Sequence, residues 1–293
     1  MRIRVILGVC LVVCGACSGS SDTPTSPSPP NPTTSPGQTI SYTAIGASDG
    51  IGFGGSAPCV PLTVCPNGTG YVQIVNRRLR DGGATVSHLN LSLPGAVLSR
   101  AVEDLAASIG RPISSLAGNF IDRQAPYVPQ STTQLTIFAG SNDANTIAQA
   151  ARAGRGGSDV NGYVDGQVRQ WGADYEELIR RVRQRSANMR IVALNLPNLA
   201  AAPHVVGNTL DEKRLMQRVV VGLSDRVNAL RSLNVIVVDL MCEPRLLQPS
   251  SYSADGFHPN DSGYAVIAEL TYPAVSNGTA STPSTSCPQR TIF

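Results

Sequence analysis

Five short runs rich in apolar and β-branched residues recur along the chain: Ser41–Ser48, Thr85–Ser92, Leu135–Gly140, Arg190–Pro197 and Val235–Leu240. Ile191-Val192-Ala193-Leu194 and Val235-Ile236-Val237-Val238 are apolar at every position, the pattern of strands buried on both faces. Between the runs, apolar side chains recur at helical spacing. Trp171, Tyr175, Leu178 and Val182 are separated by four, three and four residues, and Leu215, Val219, Leu223, Val227 and Leu230 continue the pattern in the next segment. Strands alternating with amphipathic helices predict an α/β fold, a five-stranded parallel sheet covered on both faces.

Such sheets bind ligands at the carboxyl ends of their strands. Polar residues of chemical interest cluster there. Ser48 ends the first run, Asn90 and Gly95 follow the second, Gly140-Ser141-Asn142-Asp143 follow the third, and Asp255 and His258 lie beyond the fifth. In Asp255-Gly256-Phe257-His258-Pro259 a carboxylate stands three residues ahead of one of only three histidines. Within one turn it can hold the imidazole Nδ1–H and leave Nε2 as a general base, and Ser48 is a hydroxyl able to use that base. Each residue also has a plain structural reading. Ser48 could close a glycine-rich turn, Asn142 or Asp143 could cap the following helix, and Asn260 or Asp261 could cap the last one. Singly those readings suffice; they do not explain why all these residues share one edge.

His88, inside an apolar run, reads as packed, and His204 as a loop histidine at the rim of the pocket. Two glycine patterns overlap or adjoin the Ser48 turn. Gly46-Ala47-Ser48-Asp49-Gly50 matches G-x-S-x-G, but it follows the first strand, and Pro58, Pro61 and Pro66 obstruct an immediate helix. Gly50-Ile51-Gly52-Phe53-Gly54-Gly55 matches the dinucleotide fingerprint without the helix it requires. Both are read as accidental. Phe53, Val60 and Leu62, close behind Ser48, suggest an apolar acyl pocket.

The first residues read as a targeting segment. Arg2 and Arg4 precede an apolar stretch, Val5–Ala16, that is short for a membrane span and suits a signal peptide at 1–16. Cys14-Gly15-Ala16-Cys17 resembles a bacterial lipoprotein box, which makes Cys17 the candidate for lipidation; Cys14 stands where that box usually has Leu, so ordinary cleavage stays open. Residues 17–38 are rich in Ser, Thr and Pro and suit an extended linker, with a single domain at 39–293. Removal of Arg2 and Arg4 with the leader takes the formal charge of +3 to about +1. With no basic stripe or aromatic platform, nucleic acid is not an expected partner. Of seven cysteines, Cys59, Cys65, Cys242 and Cys287 lie beyond Cys17, and in an exported chain they favour disulfides, read here as Cys59–Cys65 and Cys242–Cys287. No cysteine or histidine spacing suggests a metal site, and no cofactor is expected.

The four blocks Gly46-Ala47-Ser48, Asn90-Leu91-Ser92-Leu93-Pro94-Gly95, Gly140-Ser141-Asn142-Asp143 and Asp255-Gly256-Phe257-His258-Pro259 resemble, in order, those of the SGNH/GDSL hydrolases. Ala47 stands where that family usually has Asp. The resemblance implies a flavodoxin-like three-layer α/β/α sandwich, a triad of Ser48, His258 and Asp255, and an oxyanion hole from Ser48, Gly95 and Asn142. It implies a serine esterase or lipase without cofactors, acting on a small-molecule ester or lipid; the box at Cys17 separately suggests attachment to a membrane through a lipid. Family members take simple esters, lysophospholipids, thioesters and acetylated sugars. A short-chain acyl ester or a lysophospholipid-like ester is the expected substrate. A carbohydrate O-acetyl esterase, or an inactive surface lipoprotein that binds glycan or lipid, is the alternative.

Overall fold

The five apolar runs form one parallel sheet in the structure, a computed structural model that describes residues 37–293. The leader, Cys17 and nearly all of the Ser/Thr/Pro-rich linker lie outside the described residues. Strand β1 (Thr39–Gly46) is followed by a single helical turn, α1 (Ser48–Ile51), and then α2 (Tyr71–Asp81). Next come β2 (Thr85–Asn90), α3 (Arg100–Ser108), α4 (Phe120–Arg123), β3 (Gln134–Phe138), α5 (Ser141–Arg152) and α6 (Val160–Arg185). The chain closes with β4 (Arg190–Leu194), α7 (Leu210–Ala229), β5 (Ile236–Val238) and α8 (Asp261–Ser276). The strand order β2-β1-β3-β4-β5 is the doubly wound, flavodoxin-like order.

Alternate strand residues feed two separate cores, which explains the continuous apolar runs. Ile40, Tyr42, Ala44, Val192 and Leu194 pack with Tyr71, Val75 and Leu79 of α2 and with Tyr264 and Ile267 of α8. Ile45, Leu135, Ile137, Ile191 and Ala193 face the other way, onto α5, α6 and α7. There Trp171, Tyr175, Leu178 and Val182 form the buried stripe of α6. Each fully buried Val, Leu or Ile contributes about 1.5–3 kcal/mol, so burial on both faces holds the sheet between its helix layers. The structure pairs Cys59 with Cys65 and Cys242 with Cys287. Among the described residues no helix is long and apolar enough to cross a membrane.

The first strand ends two residues earlier than the sequence pattern suggests, because Ser48 opens a helical turn instead of closing the strand. The prolines after it do exclude a long helix; one turn fits before Gly52, in the left-handed region at φ 77°, ends it.

Candidate active site

Ser48 and His258 are 210 residues apart in sequence, yet Ser48 Oγ lies 2.9 Å from His258 Nε2. The C-terminal part of the chain is drawn onto the Ser48 turn by several bonds. Ser56 donates from its N–H and its hydroxyl to Asp261 at 2.8 and 2.6 Å, and the Tyr264 hydroxyl donates to the Phe53 carbonyl at 2.5 Å. Gly54 permits the contact: at φ 92° a Cβ there would sit 2.8 Å from His258 Cβ and 2.8 Å from the Pro259 carbonyl. The glycine pattern that imitates a dinucleotide fingerprint is thus a packing device for the histidine loop. The Phe53 ring then lies against the imidazole, with centroids 4.7 Å apart.

Asp255 and His258 occupy one tight turn, closed by a bond of 2.8 Å from Ser253 N–H to the His258 carbonyl. Asp255 Oδ1 accepts the N–H groups of Phe257 and His258, each at 2.9 Å, and the Ser253 hydroxyl at 2.7 Å, while Oδ2 meets His258 Nδ1 at 2.6 Å. Partial burial pushes this carboxyl up, but the bonds from His258, Phe257 and Ser253 outweigh it and hold the group well below the usual carboxylate range. An ionised carboxylate only accepts, so Nδ1 carries the proton and Nε2 presents its lone pair to Ser48.

The second and third loops meet at the same edge. Leu93 N–H donates to the Gly46 carbonyl at 3.1 Å, and Asn142 Nδ2 donates to the Ala96 carbonyl at 3.0 Å, so both loops adjoin the end of β1. Gly95 stands at φ 80°, a backbone conformation that glycine adopts without steric cost. The N–H groups of Ser48 and Gly95 have no hydrogen-bond partner among the described residues. A cavity of about 480 Å³ opens beside Gly95 and Asn142, walled by Ile113, Ala117, Arg111 and Thr146. Val60 and Leu62, by contrast, are exposed instead of gathered into an acyl pocket.

Gln124 and the burial of Asp49 escaped the sequence reading, and Asn90, placed at the sheet edge there, had no stated role. Gln124, fully buried, clamps Gly46 by accepting its N–H and donating to its carbonyl, both at 2.8 Å. Asn90 donates to the Gly50 carbonyl at 2.7 Å and fixes the far side of the Ser48 turn. Asp49 is buried beside Ser48; desolvation raises its carboxyl, against the pull of the nearby His258. His88 is packed, its ring stacked on Tyr42 and Nδ1–H donating to the Tyr42 carbonyl at 3.2 Å. His204 packs on the histidine loop, its N–H donating to the Gly256 carbonyl at 3.0 Å and its ring against Phe257. Among the described residues no group of side chains forms a metal site.

Asp143, next to Asn142, is anchored through Oδ1, which accepts Leu98 N–H at 2.8 Å and the Trp171 indole N–H at 3.0 Å. Burial pushes its carboxyl up to about 6 despite those bonds. Its unfolded value is near 3.9, so the folded state binds the proton more tightly. Stability from this site is present below about pH 4 and is lost as pH rises through about 6. Asp143→Asn keeps the Oδ1 acceptor and cannot ionise. Urea unfolding of both proteins should therefore show the variant gaining on the parent by about 3 kcal/mol between pH 4 and pH 7.5. A pH-independent difference would contradict this assignment.

A hydroxyl, an imidazole and a carboxylate in hydrogen-bonded series, at the carboxyl edge of a doubly wound sheet, are the parts that a serine hydrolase requires. Residues 41–266 match the family model of the GDSL-like lipase/acylhydrolase family. The chain belongs to that family and is a serine hydrolase of ester bonds. No curated protein matches the chain in a sequence search. Similar solved structures include the lipase Lip_vut3 from a goat rumen metagenome (18% identity, 82% of this chain and 100% of that one, TM-score 0.53). A putative GDSL-like lipase from Parabacteroides merdae (16%, 85% and 100%, TM-score 0.52) and phospholipase A1 from Streptomyces albidoflavus (13%, 82% and 99%, TM-score 0.50) share the same fold.

Proposed function

We propose that the protein cleaves carboxylic esters through an acyl-enzyme on Ser48, with His258 as general base and Asp255 as the group that orients it. The observation that carries this reading is the unbroken relay from Ser48 Oγ to His258 at 2.9 Å and on to Asp255 at 2.6 Å. Ser48 Oγ attacks the carbonyl carbon as its proton passes to Nε2. The developing oxyanion is met by the N–H groups of Ser48 and Gly95 and by the Asn142 amide, which has a second N–H beyond the one bonded to Ala96. The tetrahedral adduct then collapses, the bond to the leaving oxygen breaks, and the imidazolium protonates that oxygen to release the alcohol. Water repeats the sequence on the acyl-enzyme, with His258 again as base, freeing the carboxylic acid and Ser48.

Within that chemistry we assign a short-chain acyl ester or a lysophospholipid-like ester as substrate. The cavity of about 480 Å³ beside Gly95 and Asn142 is of small-molecule size, with aliphatic walls from Ile113 and Ala117. None of its lining residues is aromatic, so it offers no stacking platform for a sugar ring. A lipoprotein that only binds glycan or lipid has no need of an imidazole held in register with a serine hydroxyl. Two disulfides suit an oxidising compartment, in keeping with export and with a lipid anchor at Cys17. Comparing kcat/KM across p-nitrophenyl esters, lysophospholipids and acetylated sugars tests the assignment. The first two classes should exceed the third by at least about ten-fold, a margin of about 1.4 kcal/mol; a preference for acetylated sugars would overturn it.

A further inference from the structure

The loop closed by Cys59–Cys65 carries Val60, Leu62 and Val64, which are 67, 64 and 86% exposed. Nothing in the fold shelters them, and the segment from Gly50 to Asn76 contains no charged residue at all. Leu62 is the sharpest oddity. Thr63 N–H bonds back to the Val60 carbonyl at 3.2 Å, with Pro61 and Leu62 between them and Leu62 at φ 63°. That turn position suits Gly or Asn, so a leucine there meets a steric cost and leaves its side chain in water. Backbone outliers of this kind point towards function.

The loop is attached directly to the active site. Cys59 N–H donates to the Ile51 carbonyl at 2.7 Å, one turn beyond Ser48, and the intervening Phe53 lies on His258 and is itself 47% exposed. Other exposed apolar side chains stand around the same opening. Leu116 is 86% exposed and adjoins Ala117, which flanks Gly95. Val206 is 78% exposed, two residues beyond His204, whose N–H holds the Gly256 carbonyl.

We propose that this apolar rim, with the disulfide-closed loop as its main element, docks the active-site edge onto a lipid surface, inserting aliphatic side chains among acyl chains. The proposal rests on the ester-hydrolase reading for its purpose and goes beyond it in naming a binding surface. A lipid surface is favoured over a protein partner because Val60, Leu62, Val64, Leu116 and Val206 are aliphatic tips on separate loops, and the disulfide-closed loop carries no charge. The length of chain ahead of the domain is compatible with it. A proline-rich stretch of about twenty residues can span roughly 60 Å at ~3.1 Å per residue. Strand β1 is only about 26 Å from its amino end, where that stretch enters, to the active-site edge.

The test is sedimentation with phosphatidylcholine vesicles of protein that begins at Ser18, so that neither the apolar leader nor an acyl anchor on Cys17 is present, and that carries Ser48→Ala, to exclude turnover. Adding Leu62→Asn and Val64→Ser should raise the lipid concentration for half-binding by about ten-fold or more. Asn suits the φ of position 62, so the unfolding temperature should not fall, and Val64→Leu alone should retain binding. Added salt should leave the binding unchanged. Absence of vesicle binding by the parent, equal binding by the double variant, or loss of binding on adding salt would overturn the proposal. Because Ser48 is already replaced, none of these outcomes depends on whether Ser48 is the nucleophile.

Discussion

Replacing Ser48 by Ala is expected to lower kcat for a p-nitrophenyl ester by about 10⁴- to 10⁶-fold with little change in KM. In the proposed mechanism the Ser48 hydroxyl is the group that bonds to the carbonyl carbon, and alanine has none. The substitution spares the structure around it. Ser48 Oγ makes one hydrogen bond, to His258, whereas the turn is held by backbone bonds such as Phe53 N–H to the Ser48 carbonyl at 3.1 Å. Stability should therefore change by no more than about 1 kcal/mol, so lost activity cannot be ascribed to unfolding. The N–H groups of Ser48 and Gly95 and the cavity beside Asn142 also survive, which is why substrate binding should persist. Stopped assays of kcat and KM alongside thermal unfolding check both halves of the expectation.

Asp255→Asn should cost about 10³- to 10⁴-fold in kcat for a different reason. Asn can keep an oxygen at the Oδ1 position, where it accepts from Phe257, His258 and Ser253, so the turn stays folded. Its amide nitrogen then faces His258 Nδ1 and donates to it. The imidazole must move its own proton to Nε2, and the base becomes a donor aimed at Ser48. A loss of 10⁴ corresponds to about 5.4 kcal/mol of transition-state stabilisation. Asp255→Glu should recover little of it, because the longer side chain cannot hold the two backbone N–H groups and Nδ1 together. Retention of more than a tenth of the parent kcat in Asp255→Asn would show that the carboxylate does not set the tautomer.

Much of this architecture is legible in the chain because its signals are local. Apolar runs such as Ile191-Val192-Ala193-Leu194 suit strands buried on both sides, and the Trp171–Val182 spacing suits one helix face. Asp255 and His258 read as a pair because a three-residue separation closes within a single turn. Asn260 as the cap of α8 is similarly local, accepting from Ser262 and Gly263 N–H groups at 2.9 and 3.1 Å.

What escaped the reading is set by tertiary contact. Gln124 clamps Gly46 across 78 residues from a segment without any periodicity. Trp171 bonds Asp143 across 28 residues, and its position in a helical stripe explains its burial but not its indole partner. The acyl pocket expected from Phe53, Val60 and Leu62 fails for the same reason. Apolar composition says that side chains would gain from leaving water, but the direction they face depends on the Cys59–Cys65 closure and the left-handed Leu62.

The central claim is that Ser48 is a nucleophile activated by His258 and Asp255. Reaction of the folded protein with a fluorophosphonate, followed by peptide mass spectrometry, tests it most directly. The account predicts one phosphonyl adduct, on the peptide containing Ser48, absent in Ser48→Ala and formed far more slowly in Asp255→Asn. No adduct on well-folded protein, or an adduct on another serine while Ser48 stays unmodified, would contradict it.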